Sequence, residues 1–166
     1  MQFKISCLLF IQDQTSRILL LQRKKSPNKG LWSPPGGKLE MSIGESPFEC
    51  ARRETCEELG LEITDDDLRL FGYVSEKNYE GDSHWLMFLF EVLPCLETLP
   101  AEISEGHFGF YHRSEINSLH IPPTDHQLVW PYYDKRREGF WGINANFDNK
   151  SAKIKIEAKP VSGNND

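Results

Sequence analysis

The chain has 166 residues, 39% hydrophobic and 27% charged, with a net charge of −6 at pH 7. That length suits one domain with its own core, and the balance is that of a folded globular protein, which excludes wholesale disorder and a membrane-spanning chain. The acidic surplus argues against a protein whose main task is to coat nucleic-acid backbone, while leaving room for a local basic pocket for polyphosphate.

Residues 1–160 read as a single domain and 161–166 (VSGNND) as a flexible tail. The opening MQFKISCLLFIQDQ has one lysine before its apolar run and no small-residue cleavage site, so it reads as a first strand and not as a signal peptide. Cys7, Cys50, Cys56 and Cys95 form no CxxC pair and no zinc spacing, which fits reduced thiols in a cytoplasmic protein. Residues 3–11 and 17–22 are β-rich and separated by the polar Gln12–Ser16, the pattern of a hairpin with a long loop. Arg23, Lys24 and Lys25 follow, either as a solvated strand end or as bases that hold phosphate. After the loop Ser26–Gly30, the run Ser33-Pro34-Pro35-Gly36-Gly37 fixes the backbone while letting it approach a ligand closely.

A helix begins at Ser46, an N-cap followed by Pro47 and completed as a capping box by Glu49, and it ends at Gly60. Phe48, Ala51, Thr55 and Leu59 form its packing stripe. Beside the stripe, Glu54, Glu57 and Glu58 stand at i, i+3 and i+4 on one face, where each like-charged pair costs a bare helix about 0.2–0.5 kcal/mol. Such a face makes sense against a cation; the bland alternative is a solvent-facing helix paired to Arg52 and Arg53.

Residues 68–77 and 84–93 read as two long paired strands, and 94–105, with Glu102 and Glu105, as a polar connection. Phe108, Phe110 and Tyr111 suggest a short strand, and Arg113 to Leu119 a short helix. Thr124 or Asp125 caps a further helix to about Arg137, interrupted at Pro131. Ile143, Ala145, Phe147 and then Ile154, Ile156, Ala158 alternate about Asp148–Ser151, which predicts a C-terminal hairpin.

Three carboxylates on one helical face suit a hard divalent cation, and Mg²⁺ usually shares its shell with water and substrate phosphate. Gly36 and Gly37 bring backbone groups close and Lys38 adds a point charge, so the reaction class is hydrolysis of a phosphoanhydride. The segment resembles the signature of the Nudix hydrolase family: Glu45, seven residues, Arg53-Glu54, then Glu57-Glu58, Gly60 and Leu61. It departs in two places, with seven residues instead of five between Gly37 and Glu45, an insertion near Met41-Ser42-Ile43, and with Thr55 at a usually aliphatic position.

The resemblance implies an α/β (α+β) fold, a mixed β-sheet sandwiched between helices. It implies that Glu54, Glu57, Glu58 and the Gly36 carbonyl bind Mg²⁺ or Mn²⁺, and that Arg53 with Glu45 braces the helix. A later glutamate, Glu105 first and Glu102 next, would complete the metal site or act as base, unless both merely solvate their loop. The surroundings are similar to MutT-type members, which hydrolyse nucleoside triphosphates, including oxidised purine nucleotides, to monophosphate and pyrophosphate. Arg23, Gly37 and Lys38 would then contact phosphates. Asp125 would read a purine edge or serve only as a helix cap, and Trp32 and Trp85 would stack on a base or belong to the core. ADP-ribose, dinucleoside polyphosphates and RNA 5′ ends stay open as substrates, and so does a non-catalytic nucleotide- or RNA-binding regulator. A small-molecule nucleotide is the expected partner, without membrane or stable nucleic-acid association, for a monomer or homodimer.

Overall fold

The computed structural model describes residues 2–79, 81–148 and 151–163. Strand β1 (Gln2–Phe10) sends Cys7 and Leu9 to one face and Leu8 and Phe10 to the other, which forces cover on both sides. It lies parallel to β6 (Ser83–Val92) and antiparallel to the short β4 (Gly36–Lys38). Beyond β6 come β5 (Leu68–Lys77), β8 (Trp141–Asn146) and β9 (Lys153–Ala158), giving the order β4-β1-β6-β5-β8-β9 with β8 parallel to β5. A second, three-stranded sheet has the order β3 (Trp32–Ser33), β2 (Ile18–Arg23), β7 (Gly106–Tyr111). The mixed sheet with helices on both faces is the expected fold.

Two expectations need correction. Strands β1 and β2 are joined only by a bridge at Gln12 and Ile18 and run into different sheets, so they are not a paired hairpin. The Asp13 carboxylate holds the turn instead, accepting from the Thr15 and Arg17 amides at 2.9 Å each and from Arg17 Nε at 2.7 Å. Ile18 to Leu21 are all buried, so β2 needs a partner layer on each face, which a simple hairpin at a sheet edge would deny it. The helix expected from Thr124 to Arg137 is two pieces, α3 (Asp125–Leu128) and α4 (Trp130–Asp134), broken at Val129 with Pro131 opening the second piece. Thr124 stands at the N-cap position, with helical backbone angles and no side-chain cap bond, and Asp125 lies inside the first turn and is not the cap.

The expected pair β5 and β6, the strand β7, and the antiparallel hairpin β8 and β9 are present. The helix expected at 113–119 is the shorter α2 (Arg113–Ile116). Asn149 and Lys150 of the predicted C-terminal turn, and residues 164–166 of the predicted tail, lie outside the described residues.

Helix α1 (Pro47–Leu59) forms as its caps dictate: Ser46 accepts from the Glu49 amide, Glu49 from the Ser46 amide, and Gly60 closes the end at φ 66°. Thr55 is fully buried, and its hydroxyl donates to the Ala51 carbonyl at 2.7 Å, which lets a polar residue replace an aliphatic one on the packing face. The inserted residues wind into a 3₁₀ turn at Met41–Ile43, closed by Gly44 at φ 66° and leaving Met41 and Ile43 exposed. One apolar cluster fills the α1 side, with Leu9, Ala51 and Phe90; the other, with Phe10, Trp130 and Ile143, fills the α3 and α4 side. Among the described residues no helix is long and apolar enough to cross a membrane.

Candidate active site

Two glycines bring α1 and the sheet edge together. Gly36 pairs with Leu8 and Gly37 with Cys7. A Cβ at Gly36, where φ is +149°, would overlap the Cys7 carbonyl oxygen, and one at Gly37 would overlap the Glu54 carboxylate. The Glu54 side chain can therefore lie against bare backbone only because no side chain stands at 37.

Arg53 is the hub of the acidic face. Its Nε donates to Glu45 Oε1 at 2.7 Å and its Nη2 to Glu45 Oε2 at 3.0 Å and the Lys38 carbonyl at 3.1 Å, while Nη1 reaches Glu54 Oε1 at 2.8 Å and Glu57 Oε2 at 3.2 Å. These bonds pull the Glu45 carboxyl below its usual range and tie α1 to the loop before it. Glu45 has only 4% of its side chain exposed. Arg53→Ala would strand that charge, and we expect a loss of about 2–4 kcal/mol, read as a melting temperature lower by roughly 5–15 °C. An unchanged melting curve would show the clamp to be dispensable.

Beyond Arg53 the site carries surplus negative charge. Burial pushes the Glu54 carboxyl upward, against the pull of Arg53. Burial, then Glu54 and Glu105, push Glu58 up to about 8, opposed by a hydrogen bond from the Gly36 amide and by Arg23. Glu58 Oε2 is buried and has no hydrogen-bond partner among the described residues. Glu57 is exposed. An all-oxygen donor set with an orphaned carboxylate oxygen fits a hard divalent cation. Among the described residues no three of these groups converge at ligand spacing, and Arg53 Nη1 engages one oxygen each of Glu54 and Glu57.

Of the two later glutamates, Glu105 lies near enough to Glu58 for its charge to act there. Glu102 is instead ion-paired with Lys24. The chain is pinned at this point by the Lys24 amide, which donates to the Glu105 carbonyl at 2.8 Å. Arg23 donates to the Pro27 carbonyl at 2.9 Å and holds its own loop in place.

Arg23, Gly36, Gly37 and Lys38 all line a cavity of about 310 Å³ that extends across the sheet to Glu76 and Asp125. Strands β1 and β6 lie between β4 and β5, and Glu76 stands in the row of Lys4, three residues along β1 from the Cys7 that pairs with Gly37, so it lies roughly 17 Å from the glycine turn. Trp85 is the cross-strand neighbour of Lys4 on one side and Glu76 on the other, and it lines the cavity beneath the Lys4 and Lys38 ammonium groups, 4.9 and 5.7 Å from its ring centre. Trp32 packs edge-on against His107 and Tyr111 and joins the core. Asp125 is 8% exposed, and no donor among the described residues reaches its carboxyl; burial, then Glu76, push it up to about 8. Sequence reasoning missed Lys4, Trp85's cross-strand setting and Glu76. The available signal for Glu76 was an acid at an inward position of β5, two residues after the buried Val74.

The family model described as NUDIX domain matches residues 2–134. An ADP-ribose pyrophosphatase of Methanocaldococcus jannaschii is 28% identical over 133 residues, covering 78% of this chain and 72% of that protein. The crystal structure of a MutT protein from Bacillus halodurans superposes with a TM-score of 0.71 at 23% identity, covering 95% of this chain and 99% of that one. The NUDIX domain of Shewanella oneidensis NrtR, complexed with ADP ribose, gives a TM-score of 0.63 at 18% identity, covering 81% and 87%.

Proposed function

The chain belongs to the Nudix family of pyrophosphohydrolases, which act on nucleoside diphosphate-linked substrates, and we propose that its own substrate is a purine nucleoside triphosphate, normal or oxidised, cleaved to monophosphate and pyrophosphate. What supports this is the juxtaposition of the Glu54, Glu57 and Glu58 face with a glycine turn that opens into a cavity ending at Asp125, whose carboxyl no donor among the described residues reaches. The span of roughly 17 Å suits a polyphosphate at the turn and a base at the far wall.

In this reading Glu54, Glu57, Glu58 and the Gly36 carbonyl hold Mg²⁺ or Mn²⁺, which when bound neutralises phosphate charge and makes a water acidic. Lys38 and Arg23 attract the phosphates, and the Gly37 backbone lets them approach. Glu105, beside Glu58, takes the proton of the attacking water or completes the ligand set. Asp125 accepts from the base edge.

A second reading, ADP-ribose as substrate, is favoured by the names of the Methanocaldococcus relative and the NrtR complex. Phosphate and pyrophosphate release over nucleoside triphosphates, ADP-ribose and dinucleoside polyphosphates with Mg²⁺ separates the readings. Turnover of a purine triphosphate above all others is the expected result; preferential cleavage of ADP-ribose would replace it, and tight nucleotide binding without turnover of any compound would make the chain a binding regulator.

A further inference from the structure

The last strand leaves one edge of the six-stranded sheet open. Strand β9 pairs with β8 on its inner side and with no described residue on the other, so a row of backbone N–H and C=O groups faces outward. Two common guards of such an edge are missing. Lys153–Ala158 contains no proline, and the register shift of this pairing, between Gly142 and Ile143, lies at its far end. Ile154 and Ile156 stand opposite Ala145 and Ile143, which are fully buried in the cluster under α3 and α4, yet they are themselves 38% and 47% exposed. The apolar face of the sheet thus runs out from beneath its helices and stops uncovered at the edge. Lys153, Lys155 and Glu157 occupy the other face, where Glu157 accepts from the Tyr73 hydroxyl at 2.8 Å.

We propose that this edge is an interface for a second copy of the chain, with two β9 strands paired antiparallel about a twofold axis at Ile156. The register follows from charge. A twofold axis normal to the sheet keeps each face on its own side, so facing residues have numbers of equal parity. Centring the pair on Lys155 or on Glu157 sets that residue directly against its own copy, and centring on Ile154 opposes Lys153 to Lys155 twice. Centring on Ile156 opposes Lys155 of each copy to Glu157 of the other, places Ile156 on Ile156, and sets Ile154 against Ala158. Its like-charged pair, Lys153 with Lys159, falls where Lys159 has already left the strand. The charges that would repel most other strands therefore select this one. Strand β4, with the glycine turn, is the opposite edge of the same sheet, and no residue of β8 or β9 lines the cavity, so the pairing leaves both active sites open. Residues 154–158 of each copy make a small interface, and the self-association is micromolar or weaker.

The test measures mass against concentration by sedimentation for the wild type, for Lys155→Glu, for Glu157→Lys and for an equimolar mixture of the two variants. The wild type is expected to rise from 19.2 kDa toward twice that value, and less steeply in 1 M NaCl. Each single reversal turns two attractive pairs into repulsive ones and should weaken association roughly ten- to a hundredfold. The mixture should recover it, because each variant supplies the charge that the other has lost. A wild type that stays at a single chain up to about 1 mM overturns the proposal. Association that neither reversal weakens places the interface elsewhere, and weakening without recovery in the mixture rejects the register at Ile156; either result also overturns it. Thermal melting verifies that the variants fold. If one does not, amide hydrogen exchange of the wild type decides: exchange along Lys153–Ala158 is expected to slow as concentration rises, and exchange independent of concentration overturns the pairing.

Discussion

Glu57→Gln is expected to lower kcat with Mg²⁺ on the order of 10²–10⁴-fold while leaving the melting temperature unchanged or slightly raised. Glu57 separates function from folding better than its neighbours do. Its side chain is 61% exposed and its one ion pair among the described residues is with the shared Arg53 Nη1, at 3.2 Å, so folding asks little of it. Exposed substitutions of this kind stay within about 0.5 kcal/mol, and removing one of three like charges relieves repulsion along the helix. Glu54 is buried against Gly37 and Glu58 is half-buried, so a loss of activity on changing either would be confounded with altered packing. Steady-state kinetics beside a thermal melt gives both readouts, and retained activity in Glu57→Gln would remove that residue from the metal site.

The second large effect is on stability and depends on pH. Asp125 has its folded-state pKa raised from 3.8 to about 8 by burial and by Glu76. The folded protein therefore keeps a proton that the unfolded chain surrenders near pH 4. The linked stability is present in full below that point, falls as pH rises, and is gone above about pH 8. Asp125→Asn removes the titration. At pH 8.5 the variant should outlast the wild type by about 2–5 kcal/mol more than it does at pH 4.5, or roughly 4–15 °C in melting temperature. Melts at the two values decide it; an equal difference at both would mean that Asp125 is solvated in the native protein. The same substitution weakens base recognition under the proposed function, so a more stable and less selective protein is the combined signature.

Much of α1 was legible because its determinants are local. Ser46, Pro47, Glu49 and Gly60 act within one turn of where they stand, and the i, i+3, i+4 spacing of the acids needs no knowledge of the rest of the chain. The tolerance of the insertion was legible for the same reason, since Met41–Ile43 coil into their own turn and Glu45 still meets Arg53. The strands β5 and β6 could be read from alternation alone.

The misreadings share a different cause. The polar stretch after β1 looks like a hairpin loop in any sequence, and only burial of Ile18 to Leu21 on both faces sends β2 into another sheet. Asp125 has the right identity and spacing for an N-cap, yet the helix begins a residue earlier than a cap would allow, and the carboxyl is carried into the cavity. A cap is judged from four consecutive residues, whereas burial beside Glu76 depends on how α3 lies across β5.

The chain alone thus specified the acidic helix and its glycine approach, and with them the class of chemistry, because contacts within a turn of helix are written in consecutive residues. The packing of distant segments decided which acids share an enclosure, whether Asp125 is exposed or buried, and that Trp85 joins Glu76 there while Trp32 joins the core. Desolvation and the field of a neighbouring carboxyl depend on distance in space, and residues far apart in the chain acquire that distance only when the sheets and helices close over one another.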